Sequence, residues 1–365
     1  MTDSRERTDA STATGTDPQS PDVRVGVRTR NLSDERLRYL RQLGATDVFV
    51  DHADTDEEPD EFNDREAAQT VAVGPDSIPT VEELVAAREQ VESHGLNLAG
   101  IQSLPYSLYG DIMFDREGKS EELDQIERLV RNLGDAGIPI LGYQWNPRGV
   151  VPMRTDPVEI RGGAVGTAFD LDEIDKPHEL APGLDREYTE AEFWDYYEGF
   201  LERILPVAEQ AGVELALHPV DPPSLESLGG IPRLFRNVEN FERAMALVPS
   251  ENHGLKLCLG CFSQMGEDVT EVLQTFGERD DIVFVHFRDV VGTVPQFHET
   301  FVDEGNFDTI EAVRTLHDVG FDGVVVPDHV PAMEGDTDWR HRARGFTVGY
   351  LRGVVETVRD ERGAR

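Results

Sequence analysis

The chain has 365 residues, of which 38% are hydrophobic and 8% aromatic, which is enough to bury one large core or two medium ones. Its formal net charge is −38, with 72 acidic residues against 34 basic ones. A charge this negative repels nucleic acids and anionic membranes, so we predict neither as a partner.

The basic residues are almost all arginine, because lysine occurs only as Lys119, Lys176 and Lys256. A carboxylate-rich, lysine-poor surface suits a protein that works at very high salt, where charge is strongly screened. We therefore expect a halophilic source, a haloarchaeon, rather than a surface that binds a partner through its acidic charge.

The first 21 residues are polar and lack the apolar stretch of a secretory signal. We predict a disordered tail over 1–21 and a folded domain over 22–360. The sequence contains no run of about 18 apolar residues, so it predicts no transmembrane helix. Two cysteines do not make a disulfide framework, and we expect a cytoplasmic protein.

Short runs rich in β-branched residues alternate with amphipathic stretches along the rest of the chain. The runs predict eight strands, at residues 23–27, 47–50, 96–101, 139–143, 214–218, 255–259, 282–287 and 323–327. Helix starts are marked by residues such as Ser33 and Thr80, and Thr80 has Glu83 three residues on, as in a capping box. The last predicted helix covers residues 338–358.

Eight strand–helix units predict an α/β fold, a (β/α)₈ TIM barrel formed by one domain with inserted loops. A doubly wound open sheet is the alternative, but the glycine-rich phosphate loop that it usually carries is absent. Two insertions interrupt the pattern, at residues 51–66 and 145–186. Long loops after barrel strands often carry substrate contacts or a lid.

Candidate metal ligands end four successive predicted strands, which read LALHP, LKLCLG, FVHFR and VVVPDH. They are His218, Cys258, His286 and Asp328. Alone, each has an ordinary explanation, such as a His bonded to backbone, a core Cys or a helix-capping Asp. Together, at the mouth where barrel sites are built, they predict one divalent cation. Two imidazoles, a thiolate and a carboxylate form a mixed set of ligands that suits Mn²⁺, Fe²⁺ or Zn²⁺.

Cys258 and Cys261 form a CxxC pair, which also invites a redox interpretation. No second cysteine pair exists, so a four-cysteine zinc site is excluded. The pair lies on the sixth predicted unit rather than near the first strands of a small domain, which disfavours a thioredoxin-like role. A disulfide here would remove a metal ligand.

Further polar residues follow the same strands and are candidates for substrate binding. They are Asp221, Arg233, Arg288, His298 and Glu299. Arginine is well shaped to hold a carboxylate through two hydrogen bonds. For the arginines, a role in salt bridges is an equally good explanation. For Asp221 and Glu299, so are hydrogen bonds that support the metal ligands.

Several of these segments resemble the mannonate dehydratase family, whose barrel is of the xylose-isomerase type. The segments are LALHPVDPPSLESLGGIPR, GLKLCLGCF, VHFRDV with QFHETFVDEGNFD, VVPDH, and MRTDP at residues 153–157. The resemblance runs discontinuously from about residue 23 to 358 and is strongest from 214 to 330. The order and spacing of several motifs together make it fairly specific.

The resemblance implies that His218, Cys258, His286 and Asp328 bind one Mn²⁺ or Fe²⁺, and that His329 acts in proton transfer. The implied reaction is β-elimination of water from a sugar acid, D-mannonate to 2-keto-3-deoxy-D-gluconate. Such a reaction needs a base for the proton next to the carboxylate, a Lewis acid, and an acid for the departing hydroxide.

The chain also departs from the family pattern. Phe346 stands where the resemblance implies a tyrosine, and Tyr350, one helical turn on, is our candidate for its catalytic role. Gln102 stands where the family has a glutamate, and we expect it to contact substrate. A sugar isomerase or epimerase on the same barrel is therefore an alternative, as is a non-catalytic barrel with a structural metal. The sequence is compatible with a homo-oligomer.

Overall fold

The computed structural model describes residues 22–51, 71–74, 77–147, 154–175, 177–223 and 225–363. The predicted tail, 1–21, and nearly all of the acidic insertion at 51–66 lie outside the described residues. Among the described helices, none combines the length and apolar character needed to cross a bilayer.

Eight parallel strands close into a barrel. They are β1 (Arg24–Thr29), β2 (Asp47–Val50), β3 (Asn97–Ile101), β4 (Ile140–Gln144), β5 (Glu214–His218), β6 (His253–Cys258), β7 (Ile282–His286) and β8 (Val324–Val326). Strands that follow one another in the chain are neighbours around the barrel, and β8 pairs with β1 to close it. Each end lies within two residues of its predicted position. The predicted TIM barrel is confirmed.

One long helix follows each strand and covers the outside of the barrel. The helices are α1 (Asp34–Leu43), α2 (Val81–Glu92), α3 (Lys119–Ala136), α4 (Glu190–Ala211), α5 (Val238–Leu247), α6 (Val269–Gly277), α7 (Thr309–Asp318) and α8 (His341–Gly363). Ser33 caps α1, and Thr80 and Glu83 form the predicted capping box of α2. The last helix starts at His341 instead of residue 338 and runs on to Gly363.

The barrel has two apolar layers. The larger layer lies between the strands and the helices. The smaller one fills the barrel and consists of Phe49, Ala99, Ile140, Ala216, Phe284, Val324 and Val326. The rings of Phe49 and Phe284 stack there, with centroids 4.3 Å apart. In this interior β6 contributes a charged residue, Lys256, whose side chain is completely buried.

A four-stranded antiparallel sheet, here called the cap sheet, is added to the barrel. Its strands are Thr155–Glu159, Val165–Asp170, Val290–Thr293 and Gln296–Glu299. The first two lie in the insertion 145–186, which the sequence predicts to be a loop, so that prediction was wrong for this part. The strand Val165–Asp170 pairs with Gln296–Glu299, which is distant in the chain, and no local pattern reveals such a pairing.

Candidate active site

The four predicted metal ligands meet at the C-terminal mouth of the barrel. His218, Cys258 and His286 are the last residues of β5, β6 and β7, and Asp328 follows β8 by two residues. Cys258 is the register partner of His286, which places both at the same height. All four are buried, and one ligand atom from each lies within 4.8 Å of the others. These four residues, here called the metal group, can hold a metal ion.

The nitrogen atoms of the two histidines support that role. His218 Nδ1 lies 2.7 Å from the carbonyl oxygen of Pro219, while its Nε2 is buried without a hydrogen-bond partner. His286 Nδ1 also lacks a hydrogen bond and lies 3.3 Å from Asp328 Oδ2. Buried nitrogens without partners are unfavourable, and a cation between them satisfies both. The donor set therefore fits a divalent metal.

The pKa values of the two neighbouring cysteines, Cys258 and Cys261, are shifted in opposite directions. Burial raises the pKa of Cys258, but the hydrogen bond with Cys261 and the charge of Arg288 outweigh it and hold the pKa well below its usual value. Burial raises the pKa of Cys261 well above its usual value, so this thiol keeps its proton. Both cysteines are free. These opposite shifts favour a thiolate at Cys258 beside a protonated Cys261, which suits one metal ligand and one neighbour.

Two further predicted ligands, His218 and Asp328, show the same preference. Burial lowers the pKa of His218 to about 4, which keeps the imidazole neutral. Burial opposes ionisation of Asp328, but His286 and His329 outweigh it and hold its pKa well below the usual value. A neutral imidazole and an ionised carboxylate are the forms that coordinate a cation.

Gln102, which follows β3, contacts one of these ligands. Its amide nitrogen lies 2.6 Å from His286 Nε2, and its Oε1 is buried without a partner. A cation at His286 Nδ1 requires the proton on Nε2, and Gln102 Oε1 can accept that proton after the amide turns over. Gln102 was predicted to contact substrate, and the structure places it against His286, a predicted metal ligand.

His329 is paired with Glu299 of the cap sheet. His329 Nδ1 lies 2.5 Å from Glu299 Oε1, and His329 Nε2 lies 3.7 Å from Asp328 Oδ2. Glu299 also accepts a hydrogen bond from Thr167, at 2.5 Å. Burial opposes ionisation of Glu299, but His329, Arg288 and Arg154 outweigh it and hold its pKa well below the usual value. Glu299 is therefore an ionised partner for the imidazole.

Two arginines and two carboxylates form a closed network beside His329. Arg154 and Arg288 each donate to Asp221 at 2.7 Å. They also donate to Glu299, at 3.0 and 2.8 Å. Arg288 Nε lies 3.1 Å from Asp328 Oδ2, which joins the network to the metal group. Asp221, Glu299 and His329 are close enough to suggest a second cation site, but the arginines already pair with both acids.

The other predicted residues lie further from the metal group. Arg233 donates to Asn146 at 2.9 Å and to the Pro222 carbonyl at 2.6 Å, which holds the loop after β5. His298 adjoins Glu299 on one strand of the cap sheet, and successive side chains of a strand point to opposite faces. His298 therefore faces away from the site.

Tyr350 is not brought to the site. It lies on α8, where its ring stacks on that of Phe346 at 6.2 Å between centroids. Within the described part of the chain, no hydrogen bond or ring contact joins Tyr350 to a metal-group residue or to His329. The first turn of α8 lies beside the end of β8, where Arg344 donates to the carbonyl oxygens of Pro327 and Asp328, and Tyr350 lies six residues further along the helix, about 9 Å at 1.5 Å per residue.

The sequence prediction omitted three residues that the structure places at or under the site. Arg154 was noted within MRTDP but given no role. Arg28 directly follows the predicted first strand, 23–27, and donates to Asp328 at 2.7 Å, so the strand-end rule used for the last four strands would have found it. Lys256 interrupts the apolar run LKL, which is the sequence signal for a charge inside the barrel.

A buried group of residues that can hold a cation at the mouth of a barrel, beside a histidine–glutamate pair, is typical of (β/α)₈-barrel enzymes that use a metal. The chain matches the family model of D-mannonate dehydratase (UxuA) over residues 36–364. The chain belongs to this family, which confirms the resemblance seen in the sequence, and members of the family are hydro-lyases.

Individual relatives agree with this assignment. Mannonate dehydratase 2 of Halalkalibacterium halodurans is 29% identical over 364 residues, which cover 92% of this chain and 99% of that protein. The crystal structure of mannonate dehydratase from Streptococcus suis serotype 2 superposes with a TM-score of 0.80 at 24% identity, covering 94% of this chain and 95% of that one. L-ribulose 3-epimerase, at a TM-score of 0.59 and 13% identity over 94% and 98% of the two chains, shares the fold.

Proposed function

We propose that this chain dehydrates D-mannonate to 2-keto-3-deoxy-D-gluconate with one bound Mn²⁺ or Fe²⁺. Membership of the D-mannonate dehydratase family supports the reaction. The observation that carries the proposal is the adjacency of Asp328, in the metal group, and His329, whose imidazole is held by Glu299. A proton-transfer group thus lies directly beside the cation site.

His218, Cys258, His286 and Asp328 would hold the cation, and their nitrogen, sulfur and oxygen donors suit Mn²⁺ or Fe²⁺. When bound, the cation supplies Lewis acidity that stabilises negative charge developing next to the substrate carboxylate. The preference for manganese or iron over zinc rests on the family resemblance of these segments.

His329 moves the proton at its Nε2 atom. Because Glu299 accepts the Nδ1 proton, we assign proton exchange with the substrate to the other ring nitrogen, Nε2. The elimination removes the proton on C2, breaks the C3–O bond and releases water once the leaving hydroxide is protonated. The resulting enol ketonises to the 2-keto-3-deoxy acid. We assign His329 to one of these two proton transfers.

The two arginines of the network have different roles in this proposal. The side chain of Arg288 is 1% exposed, so it acts within the protein, where it fixes Asp221, Glu299 and Asp328. The side chain of Arg154 is 17% exposed, and it borders the mouth together with His329 at 13%. We therefore propose that Arg154, rather than Arg288, reaches the anionic substrate.

The alternatives are less well supported. An isomerase or epimerase would use the same cation and proton-transfer group without releasing water, but the family match is to a dehydratase. A structural metal would not explain why His329 is oriented by a buried carboxylate. A cytoplasmic location, a homo-oligomeric assembly and a halophilic source stay predictions.

The test is a product assay. Purified protein at high salt, loaded with Mn²⁺ or Fe²⁺, is incubated with D-mannonate and a panel of other aldonic acids, and products are identified by NMR. We expect 2-keto-3-deoxy-D-gluconate from D-mannonate and none after chelation. An epimer or a ketose in place of the keto acid would overturn the proposal.

A further inference from the structure

Lys256 lies inside the barrel, directly beneath the metal group. It precedes Cys258 by two residues on β6, so both side chains point into the barrel. Its side chain is completely buried, and its ammonium nitrogen lies 6.0 Å from the ring centroid of Phe284. A lysine in such a place is rare unless its polar end is fully bonded.

The polar end of Lys256 is bonded to the far side of the barrel. Nζ donates to the carbonyl oxygen of Gln102 at 2.8 Å and to Ser103 Oγ at 2.8 Å. β6 and β3 are not neighbours in the barrel, since β5 and β4 lie between them. The side chain therefore bridges the interior and ties the end of β3 to the strand that carries Cys258. Both acceptors need an N–H donor, which the amine provides in either charge state.

Gly142 on β4 leaves the room for this bridge. A Cβ atom at Gly142 would lie 2.1 Å from the Gln102 carbonyl oxygen and 3.4 Å from Lys256 Nζ. Any side chain at this position would displace the end of β3, and its Cβ atom would contact the lysine. The glycine and the lysine together set where the backbone of Gln102 lies.

The bridge ends at a residue that touches a metal ligand. The Gln102 carbonyl accepts from Lys256, while the amide of the same residue lies 2.6 Å from His286 Nε2. A shift in the Gln102 backbone would move the amide and with it the hydrogen bond that orients the imidazole. Partners of this kind affect metal affinity or activity by about 10- to 100-fold when removed.

We propose that Lys256 is a positioning residue for the metal site. Lys256 acts through Gln102 to orient His286. The inference rests on the proposed function, because it assumes a cation held by His286. Lys256 touches neither the cation nor the substrate in this account. Its effect is therefore expected in how the metal is held, rather than only in how well the barrel folds.

The test compares Lys256→Met with Lys119→Met, which changes an exposed lysine paired with Asp115. The readouts are Mn²⁺ affinity of the apo-protein and the visible absorption of the Co²⁺-loaded protein, whose bands report ligand geometry. We expect Lys256→Met to weaken Mn²⁺ binding about 10- to 100-fold and to change the Co²⁺ spectrum, with Lys119→Met like the wild type. Unchanged affinity and spectrum in a folded Lys256→Met protein would overturn the inference.

Two further variants keep the test decisive if Lys256→Met does not fold. Ser103→Ala removes one of the two acceptors and should weaken Mn²⁺ binding in the same direction by a smaller factor. In a Gln102→Leu background, adding Ser103→Ala should cause little further loss, because residues that act through one another are not additive. Full additivity would contradict action through Gln102.

The outcome separates this inference from the proposed function. If the wild type binds metal but does not dehydrate D-mannonate, the proposed function fails while the spectral test of Lys256 still stands. If the wild type dehydrates D-mannonate but the Lys256 and Ser103 variants hold Mn²⁺ and Co²⁺ as it does, only the inference fails.

Discussion

His329 Nδ1 lies 2.5 Å from Glu299 Oε1, and this contact joins the end of β8 to the cap sheet. Glu299 is itself fixed by Thr167, Arg154 and Arg288. The imidazole is thus held from a strand that does not belong to the barrel. The cap sheet therefore contributes to orienting the proposed proton-transfer group.

His329→Asn should abolish turnover and leave the metal bound, because His329 transfers protons in this account and is not a ligand. General acid–base groups contribute roughly 10²- to 10⁴-fold to rate. Initial rates and metal content of the purified variant check this. Loss of the metal from the variant would show that His329 is a ligand and that its assigned role is wrong.

Glu299→Gln should lower kcat by about 10²-fold or more with a smaller effect on KM, because the amide no longer fixes the Nδ1 proton of His329. Glu304→Gln, a change at a half-exposed acid in the loop that follows, is the matched control and should keep the wild-type rate. The double variant Glu299→Gln, His329→Asn should be no slower than His329→Asn alone. A further large drop would mean that Glu299 acts independently.

Asp221→Asn should destabilise the fold at neutral pH by about 3 kcal/mol, because it leaves Arg154 and Arg288 short of a buried partner. Burial opposes ionisation of Asp221, but both arginines outweigh it and hold its pKa below the usual value. Its contribution is therefore present above the unfolded pKa, about 3.9, and is lost as pH falls towards the folded pKa.

Urea unfolding at a series of pH values measures this difference. The gap in unfolding free energy between wild type and Asp221→Asn should be largest near neutral pH and shrink below about pH 4. Asp115→Asn, at an exposed ion pair, is the control and should differ little from wild type. A gap that does not change with pH would contradict a carboxylate stabilised by the arginines.

Tyr350→Phe should keep a rate close to that of the wild type, because α8 carries Tyr350 away from the mouth and its ring packs on Phe346. Steady-state kinetics on D-mannonate test this directly. A large fall in kcat with normal folding would restore Tyr350 to the catalytic role that the sequence suggested.

Much of the barrel and the metal group could be predicted from the sequence because both depend on local patterns. Each strand is a short apolar run, and each ligand stands at or just after the end of such a run, as His218 and Asp328 do. In a closed barrel all such ends meet at one mouth, so position along the chain is enough to bring them together.

The rest depends on contacts between distant segments, which one sequence does not show. Glu299 meets Arg154 because Val165–Asp170 pairs with both of the cap-sheet strands at which these two residues lie, and Lys256 reaches Gln102 across the barrel. Tyr350 was placed by its spacing from Phe346, which says nothing of the direction in which the helix leaves the mouth. Local pattern therefore predicts which candidate ligands meet at the mouth better than it predicts the groups that contact them.

Metal-dependent dehydration of D-mannonate can be measured by titrating metal-free protein with Mn²⁺ while recording formation of the 2-keto-3-deoxy acid. We expect no turnover without metal, a rise to a plateau at one equivalent per chain, and a much weaker response in Cys258→Ser. Full activity in the metal-free protein, or D-mannonate left unchanged with one equivalent of Mn²⁺ bound, would contradict the proposed function.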